Sequence, residues 1–158
     1  MATVMNYARL FHSKNVMLSL ESTDKDEALK EMVDFLRNEE VFDEKTATAA
    51  LKALREREKL GSTGIGNGVA IPHAKSKTVG DMVVAVAHAP KGLDYQSVDG
   101  EPVHILFLVV SRPEEAEEHL EVLRWISKLV RNRDFCMFFQ RATTVEEVQG
   151  LLKEMGDG

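Results

Sequence analysis

Apolar residues recur at helical spacing in two segments of the first part of the chain. The first helix is predicted to begin at Asp24, whose spacing to Glu27 is typical of a helix start, and to run to about Glu39. The second is predicted to begin near Asp43 and to end at Gly61. The apolar stripes are Ala28, Leu29, Met32, Val33 and Leu36 in the first helix and Ala47, Ala50, Leu51 and Leu54 in the second.

Short apolar runs predict strands at 16–20, 82–89 and 103–110. The run 103–110 is almost continuously apolar, which is typical of a strand buried on both faces of a sheet. Asp99-Gly100 predicts a turn between the second and third strands.

Three further helices are predicted after the last strand. Ser111 or Arg112 caps the first of them, which has Pro113 in its first turn. A short aromatic helix covers about 135–140, and the last helix covers 144 to about 155. The inward side chains are expected to be Ala116, Leu120, Leu123, Ile126 and Val130 in the first of these helices and Val145, Val148, Leu151, Leu152 and Met155 in the last.

Interleaved strands and helices predict an α/β fold, a single-domain sandwich over residues 1–158 with a central mixed β-sheet flanked by helices on both sides. We expect short mobile ends at both termini. A chain of 158 residues, of which 44% are hydrophobic and 29% charged, is sufficient for one domain with its own core.

Charge and cysteine content narrow the classes of function. A formal net charge of -6 argues against nucleic-acid binding, which needs a basic surface. Cys136 is the single cysteine, so a disulfide within the chain and a four-cysteine zinc site are excluded, and its apolar neighbours predict a core position. We see no signal peptide, and the longest apolar run is too short to span a membrane. We therefore expect a cytoplasmic protein with no cofactor and no metal.

The segment 61–75 is unusually rich in glycine, with four glycines among residues 61–68. Each glycine inside a helix costs roughly 1 kcal/mol relative to alanine, so the segment is predicted to be a shaped loop with a short strand at 69–71. The loop has no Gly-Lys-Ser/Thr ending, and Gly64, Gly66 and Gly68 do not match the spacing of a dinucleotide-binding loop.

His73 follows this loop directly after Pro72, which fixes the backbone that leads to the histidine. Glycine N–H groups nearby can point at an anion, and a neutral imidazole is a nucleophile near neutral pH. These features suit a histidine that accepts a phosphoryl group. A turn histidine beside a structural glycine loop is the alternative that this pattern leaves open.

The stretch from Arg57 to His73, with its arginine–glutamate pair, glycine loop and Pro-His, resembles the active-site signature of enzyme IIA of the bacterial phosphotransferase system. The resemblance is to the fructose/mannitol class and especially to its nitrogen-regulatory branch. It continues through 93–110 and His119 and covers nearly the whole chain.

This resemblance implies that His73 is the phosphorylated residue, with Arg57 as the active-site arginine and His119 as a second active-site histidine. It also implies an α/β sandwich, and the histidine phosphocarrier protein as the phosphate donor. We expect loop residues to bind the phosphate, namely Ser62, Thr63, Gly64, Gly66, Asn67 and Gly68.

The residues themselves leave the roles of Arg57 and His119 open. A guanidinium can grip two phosphate oxygens, but Arg57 lies among other charged residues, Arg55, Glu56, Glu58 and Lys59, which are typical of a solvated helix face. The spacing of His119 to Ile126 places it on the inward stripe of its helix, where a structural histidine and a phosphate-binding histidine are both reasonable. No chemistry is assigned to the remaining histidines, which are His12, His88 and His104.

Three functions are compatible with these observations. The first is a phosphorylation-dependent regulator of the nitrogen type. It is favoured by the residue sequence of the glycine loop and by the absence of an enzyme IIB or IIC portion. The second is a sugar-transport enzyme IIA that passes phosphate to a fructose/mannitol-type enzyme IIB. The third is a metal-dependent hydrolase, which no His-Glu-x-x-His spacing supports.

Overall fold

The structure, a computed structural model, describes residues 7–156. Its helices are α1 (Lys25–Asn38), α2 (Glu44–Lys59), α3 (Ala116–Val130), α4 (Arg133–Arg141) and α5 (Val145–Gly156). Its strands are β1 (Val16–Met17), β2 (Gly64–Gly66), β3 (Val69–Ala70), β4 (His73–Lys75), β5 (Val83–Leu93) and β6 (Val103–Ser111). The expected mobile ends fall on residues 1–6 and 157–158, which lie outside the described residues.

The predicted mixed sheet is confirmed. Its strand order is β1-β5-β6-β3-β2, and β4 also pairs with β6. The long pair β5 and β6 is antiparallel, whereas β1 runs parallel to β5 and both β3 and β4 run parallel to β6. Strands β3 and β4 therefore follow one another along the same side of β6, and this places His73 beside Val109.

Helices cover both faces of the sheet and divide the core into two clusters. Helices α1 and α2 pack on one face, and α3, α4 and α5 pack on the other. Along β6 the side chains alternate between the clusters: Leu106, Leu108 and Val110 enter one, and Ile105, Phe107 and Val109 enter the other. The prediction that this strand is buried on both faces is confirmed.

The glycine segment is more regular than the predicted loop. The expected strand at 69–71 is present as β3, but β2 and β4 flank it. Asn67 and Gly68 have φ values of 58° and 80° and form the two-residue turn between β2 and β3. Asn-Gly is the strongest short hairpin signal, and it identifies this turn from the sequence alone.

The inward stripe of α3 was predicted correctly at His119, Ile126 and Val130 but wrongly at its first two apolar positions. Ala116 and Leu120 are not buried, and the buried face consists of His119, Val122, Ile126, Leu129 and Val130. Consecutive helical positions differ by about 100°, so Leu120 lies off the stripe that His119 occupies. Cys136 is partly buried and packs against the cluster of α3, α4 and α5, in agreement with its predicted place.

Candidate active site

His73 begins β4, and the backbone before it holds its ring. The Nδ1 atom lies 2.7 Å from the carbonyl oxygen of Ile71, two residues earlier. Because a carbonyl can only accept a hydrogen bond, Nδ1 carries the proton and donates it, and Nε2 retains its lone pair. Val109 of β6 donates its N–H to the carbonyl of Pro72 at 3.0 Å, so the turn that presents His73 is tied to the central strand.

His119 lies beside His73, although the two residues come from different elements. The centroids of their rings are 5.6 Å apart, with 58° between the ring planes. The Nδ1 atom of His119 is 2.6 Å from the hydroxyl of Ser111, the last residue of β6. Burial, together with the charges of His73 and Lys75, lowers the pKa of His119 to about 4. The His119 ring is therefore neutral at pH 7.

Arg57 occupies the last turn of α2, where its Nη1 donates to the carbonyl of Gly61 at 2.9 Å. Burial is the main cause that lowers the pKa of His73, and the positive charge of Arg57 lowers it further. The Ile71 carbonyl and the negative charge of Glu58 act in the opposite direction. Of the three residues that the sequence selected, His73 and His119 thus lie side by side, and Arg57 is near enough for its charge to act on the pKa of His73.

The loop residues make contacts within the protein. The Thr63 N–H donates to Glu58, the Gly64 N–H to the hydroxyl of Ser62, and the Asn67 N–H to Asp99. Gly64 packs against Ser97, and Gly66 against Asp99. The phosphate-binding role of Ser62, Thr63, Gly64, Gly66, Asn67 and Gly68 stays a prediction, and it requires a phosphoryl group to compete with these internal acceptors.

Sequence reasoning missed two residues of the site. Ser111 was considered only as a helix cap, whereas it bonds His119. Glu58 was interpreted as a solvated charge, whereas it is buried with 8% of its surface exposed. Leu54, four residues earlier on α2, is also buried, so the helical period places Glu58 on the inward face. No local signal identifies Ser111, because its contact joins a strand end to a helix.

Two features are absent from residues 7–156. No helix there is long and apolar enough to cross a membrane. Over the same residues, His, Cys, Asp and Glu side chains form no group of three that could hold a metal ion.

Solved structures share this fold. The nitrogen regulatory protein IIA-Ntr of Neisseria meningitidis superposes with a TM-score of 0.83 and 27% sequence identity, over 92% of this chain and 97% of that one. The mannitol IIA of Escherichia coli superposes with a TM-score of 0.76, over 90% of this chain and 98% of that one, but its 22% identity supports the fold alone. The fold is thus that of IIA phosphocarriers.

The chain belongs to the EIIA 2 family of the phosphoenolpyruvate-dependent sugar phosphotransferase system, whose model matches residues 9–155. It is 32% identical over 142 residues to a nitrogen regulatory protein of Pseudomonas aeruginosa, a match that spans 90% of this chain and 91% of that protein. A fructose-specific EIIA component of Haloferax volcanii is also 32% identical, over 88% of this chain and 90% of that protein. A fructose-specific EIIABC component of Bacillus subtilis is 33% identical over 82% of this chain, which corresponds to only 20% of its own length. The chain is an EIIA-type phosphocarrier.

Proposed function

We propose that Nε2 of His73 accepts a phosphoryl group from the histidine phosphocarrier protein and that the phosphorylated chain acts as a regulator of the nitrogen type. The observation that carries the proposal is the 2.7 Å contact between His73 Nδ1 and the Ile71 carbonyl, with the ring of His119 next to it and the charge of Arg57 acting on the imidazole. This contact selects the neutral tautomer with Nε2 as the nucleophile.

The transfer step needs no external base. The lone pair of Nε2 attacks the phosphorus of the donor's phosphohistidine, the donor's P–N bond breaks, and the donor nitrogen recovers the electron pair. Nδ1 keeps its proton throughout and continues to donate to Ile71, so the same hydrogen bond serves the free and the phosphorylated ring. Stabilisation of the added negative charge is then the main task of the surrounding residues.

Arg57 and His119 are suited to that task. Arg57 gives one N–H to the Gly61 carbonyl, and its planar fork can bind two phosphate oxygens at once. The Ser111 hydroxyl can donate to Nδ1 of His119, which leaves the proton on Nε2 for a phosphate oxygen. Hydrogen bonds with Gly61 and Ser111 hold the two side chains in place, which limits the reorganisation that phosphate binding would need.

Exposed apolar side chains offer a docking surface for a partner protein near this site. Leu60 and Ile65 lie on either side of residues 61–64, which lead from α2 into β2. Val98 is near them, because its N–H donates to the Gly64 carbonyl, and Leu120 is next to His119 in the sequence. A partner that brings its own histidine to His73 must cover this region, and surface of this kind is typical of protein interfaces. We expect these encounters to take place in the cytoplasm.

The regulatory output and the transport output differ in the fate of the phosphoryl group once His73 carries it. A relative named nitrogen regulatory protein matches over about nine tenths of both chains, which supports regulation. Transport to an enzyme IIB is the second candidate, because a fructose-specific EIIA protein is equally similar. A protein that shares the fold, the mannitol IIA of Escherichia coli, has been solved in a complex with phosphorylated enzyme IIB.

A reconstituted transfer chain that starts from phosphoenolpyruvate tests both steps. We expect acid-labile label on the wild type and on His12→Ala, which changes an exposed histidine, and none on His73→Ala. Phosphorylated protein is then mixed with fructose- and mannitol-type IIB domains. Rapid loss of label to a IIB domain would favour transport, whereas retained label favours regulation. Absence of label on the wild type would refute the phosphoryl-acceptor proposal.

A further inference from the structure

A buried carboxylate lies next to Arg57 on the last turn of α2. The Glu58 carboxylate accepts hydrogen bonds from the Thr63 N–H at 3.0 Å, from the Tyr95 hydroxyl at 3.1 Å and from the Thr63 hydroxyl. Lys25 Nζ lies 3.4 Å away and also sits over the ring of Tyr95, 5.4 Å from its centroid. A buried charge is costly unless it is paired and fully hydrogen-bonded, and Glu58 meets both conditions.

A continuous series of hydrogen bonds leads from Glu58 to the imidazole of His73. Glu58 accepts from the N–H of Thr63, and the carbonyl of Thr63 accepts from the N–H of Ile71 at 3.0 Å. The carbonyl of Ile71 in turn accepts from Nδ1 of His73 at 2.7 Å. Two residues, Thr63 and Ile71, therefore link the carboxylate to the ring that it helps to orient.

Two neighbouring side chains in the last turn of α2 bind the segment 61–63 that follows the helix. Arg57 binds the carbonyl of Gly61, which has a φ of 147°, and Glu58 binds Thr63 two residues later. Ser62 between them donates its hydroxyl to the Tyr95 carbonyl. Fixing this connection therefore fixes both Arg57 and the backbone that supports His73.

We propose that Glu58 is a positioning residue for phosphoryl transfer, which acts through Thr63 and Ile71 to hold His73 in the tautomer and orientation that expose Nε2. This inference rests on the proposed acceptor role of His73. Lys25 and Tyr95 support it, because one pairs with the charge of the carboxylate and the other bonds one of its oxygens.

Two substitutions of Glu58 separate the effect of its charge from the effect of its side-chain length. Glu58→Asp keeps the charge but shortens the side chain by one methylene, so the carboxylate no longer reaches Thr63. Glu58→Gln keeps the reach and an acceptor for Thr63 but removes the charge. The matched controls are Glu56→Asp and Glu56→Gln, because Glu56 is a glutamate on the same helix that lies outside this network.

Two measurements are made on each folded variant. Nitrogen-15 NMR of the unphosphorylated protein reports the tautomer and titration of His73, and rapid quench reports the rate of phosphoryl transfer from the donor. We expect Glu58→Asp to populate both tautomers and to transfer on the order of 10-fold more slowly, since small misplacements of a reacting group are costly. We expect Glu58→Gln to keep the Nδ1–H tautomer and a rate within about 3-fold of wild type.

The titration of His73 adds a second signature. Arg57 and Glu58 from α2 act on its pKa, and the ring of His119 from α3 lies next to it, with a pKa that the charges of His73 and Lys75 lower. Glu58 raises the pKa of His73, so Glu58→Gln should move its titration to lower pH, whereas the Glu56 variants should leave it in place.

The proposal is overturned if Glu58→Asp keeps both the transfer rate and the His73 tautomer of the wild type. It is also overturned if Glu58→Gln transfers phosphate more slowly than Glu58→Asp. If Glu58→Asp does not fold, Tyr95→Phe takes its place. It removes one donor to the carboxylate and should change the tautomer in the same direction, and no change there would overturn the proposal. The NMR measurement uses the unphosphorylated protein. It therefore tests the role of Glu58 even if the wild type accepts no label, so the two proposals can fail separately.

Discussion

Two pairs of histidines lie at opposite ends of β6. His73 and His119 lie near its C-terminal end, whereas His104, near its N-terminal end, is close to His88 of β5. Both pairs contain a ring nitrogen bound to a backbone carbonyl: His73 to Ile71 at 2.7 Å, and His104 to Ala89 at 3.0 Å. Both also contain a histidine whose pKa is lowered chiefly by burial.

The surroundings separate the two pairs. The ring of His88 meets the edge of Phe139, and the ring of His104 packs so closely against Gly92 that a Cβ there would lie 2.9 Å from it. Besides burial, only the charge of His104 lowers the pKa of His88, whereas Arg57 acts on His73. If His73 is the acceptor, a histidine bound to a carbonyl is therefore not by itself a sufficient sign of a phosphoryl site, and the charge of Arg57 distinguishes the two pairs.

The largest expected difference is in phosphate uptake. His73→Ala should abolish labelling from the donor protein, while His88→Ala and His104→Ala should label as the wild type does, because both lie at the other end of β6. Acid-labile label is measured on each purified variant after incubation with the donor. Label on His73→Ala at the wild-type level would mean that the acceptor lies elsewhere.

The second prediction concerns the partner histidine in the C-terminal pair. His119→Ala should keep the fold and slow onward transfer by about 10²-fold or more, since positioned hydrogen-bonding and acid–base groups contribute roughly 10²–10⁴-fold. Transfer from phosphorylated protein to an acceptor is followed by rapid quench, with His88→Ala as the control. Unchanged transfer in both directions by folded His119→Ala would reduce His119 to a core histidine.

The elements of the fold were predictable because their signals are local, and the candidate acceptor His73 was selected by a local signal too. Helical and strand periodicities gave α1, α2, β5 and β6 within a few residues, and the Pro-His sequence after the glycine segment singled out His73. Each of these depends on residues that are close together in the sequence.

The details that failed depend on contacts between distant segments. The buried face of α3 was misplaced at Ala116 and Leu120 because apolar residues on both sides of the stripe obscured which face is buried. The burial of Glu58 depends on Tyr95, which comes from a different part of the chain. The spacing of Glu58 to Leu54 indicated the inward face of α2, but charged residues are usually solvated, and the partners that enclose this carboxylate come from distant segments.

The third prediction tests the cation that distinguishes the two pairs. Hydrogen bonds to charged groups are worth roughly 1.5–3 kcal/mol, so Arg57→Ala should weaken phosphoryl transfer about 10- to 100-fold. Arg57→Lys should also be impaired, though less, because an ammonium lacks the planar fork. Transfer rates are measured beside thermal unfolding, with Arg55→Lys as the control on the same helix, where Arg55 pairs with Asp26.

Arg57 is partly exposed at the end of α2, so neither substitution should cost much stability. Variants that unfold far earlier than the wild type but transfer normally when folded would show that Arg57 is structural. Equal rates for Arg57→Lys and the wild type would show that charge alone, without the fork, is sufficient.

The smallest effect expected is a pH dependence of stability that comes from the buried ring of His119. Its pKa in the folded protein is about 4, below the usual value of 6.5, so the unfolded chain binds more protons between these pH values. The free energy of unfolding should therefore fall as the pH is lowered from 7 to 5, by at most roughly 2 kcal/mol through this residue. The lowered pKa values of Asp43 and Asp99 lie below this window, so their contribution is lost only in stronger acid.

Urea unfolding of wild type, His119→Gln and His88→Gln at pH 7, 6 and 5 measures this dependence. His119→Gln loses the hydrogen bond with Ser111 and should be less stable at pH 7, but its stability should change less between pH 7 and 5. His88→Gln should show a smaller reduction in slope, since the ring of His88 is less buried than that of His119. The same slope in His119→Gln and the wild type would mean that the folded protein protonates His119 as readily as the unfolded chain does, and the neutral ring assigned to the site would then be wrong.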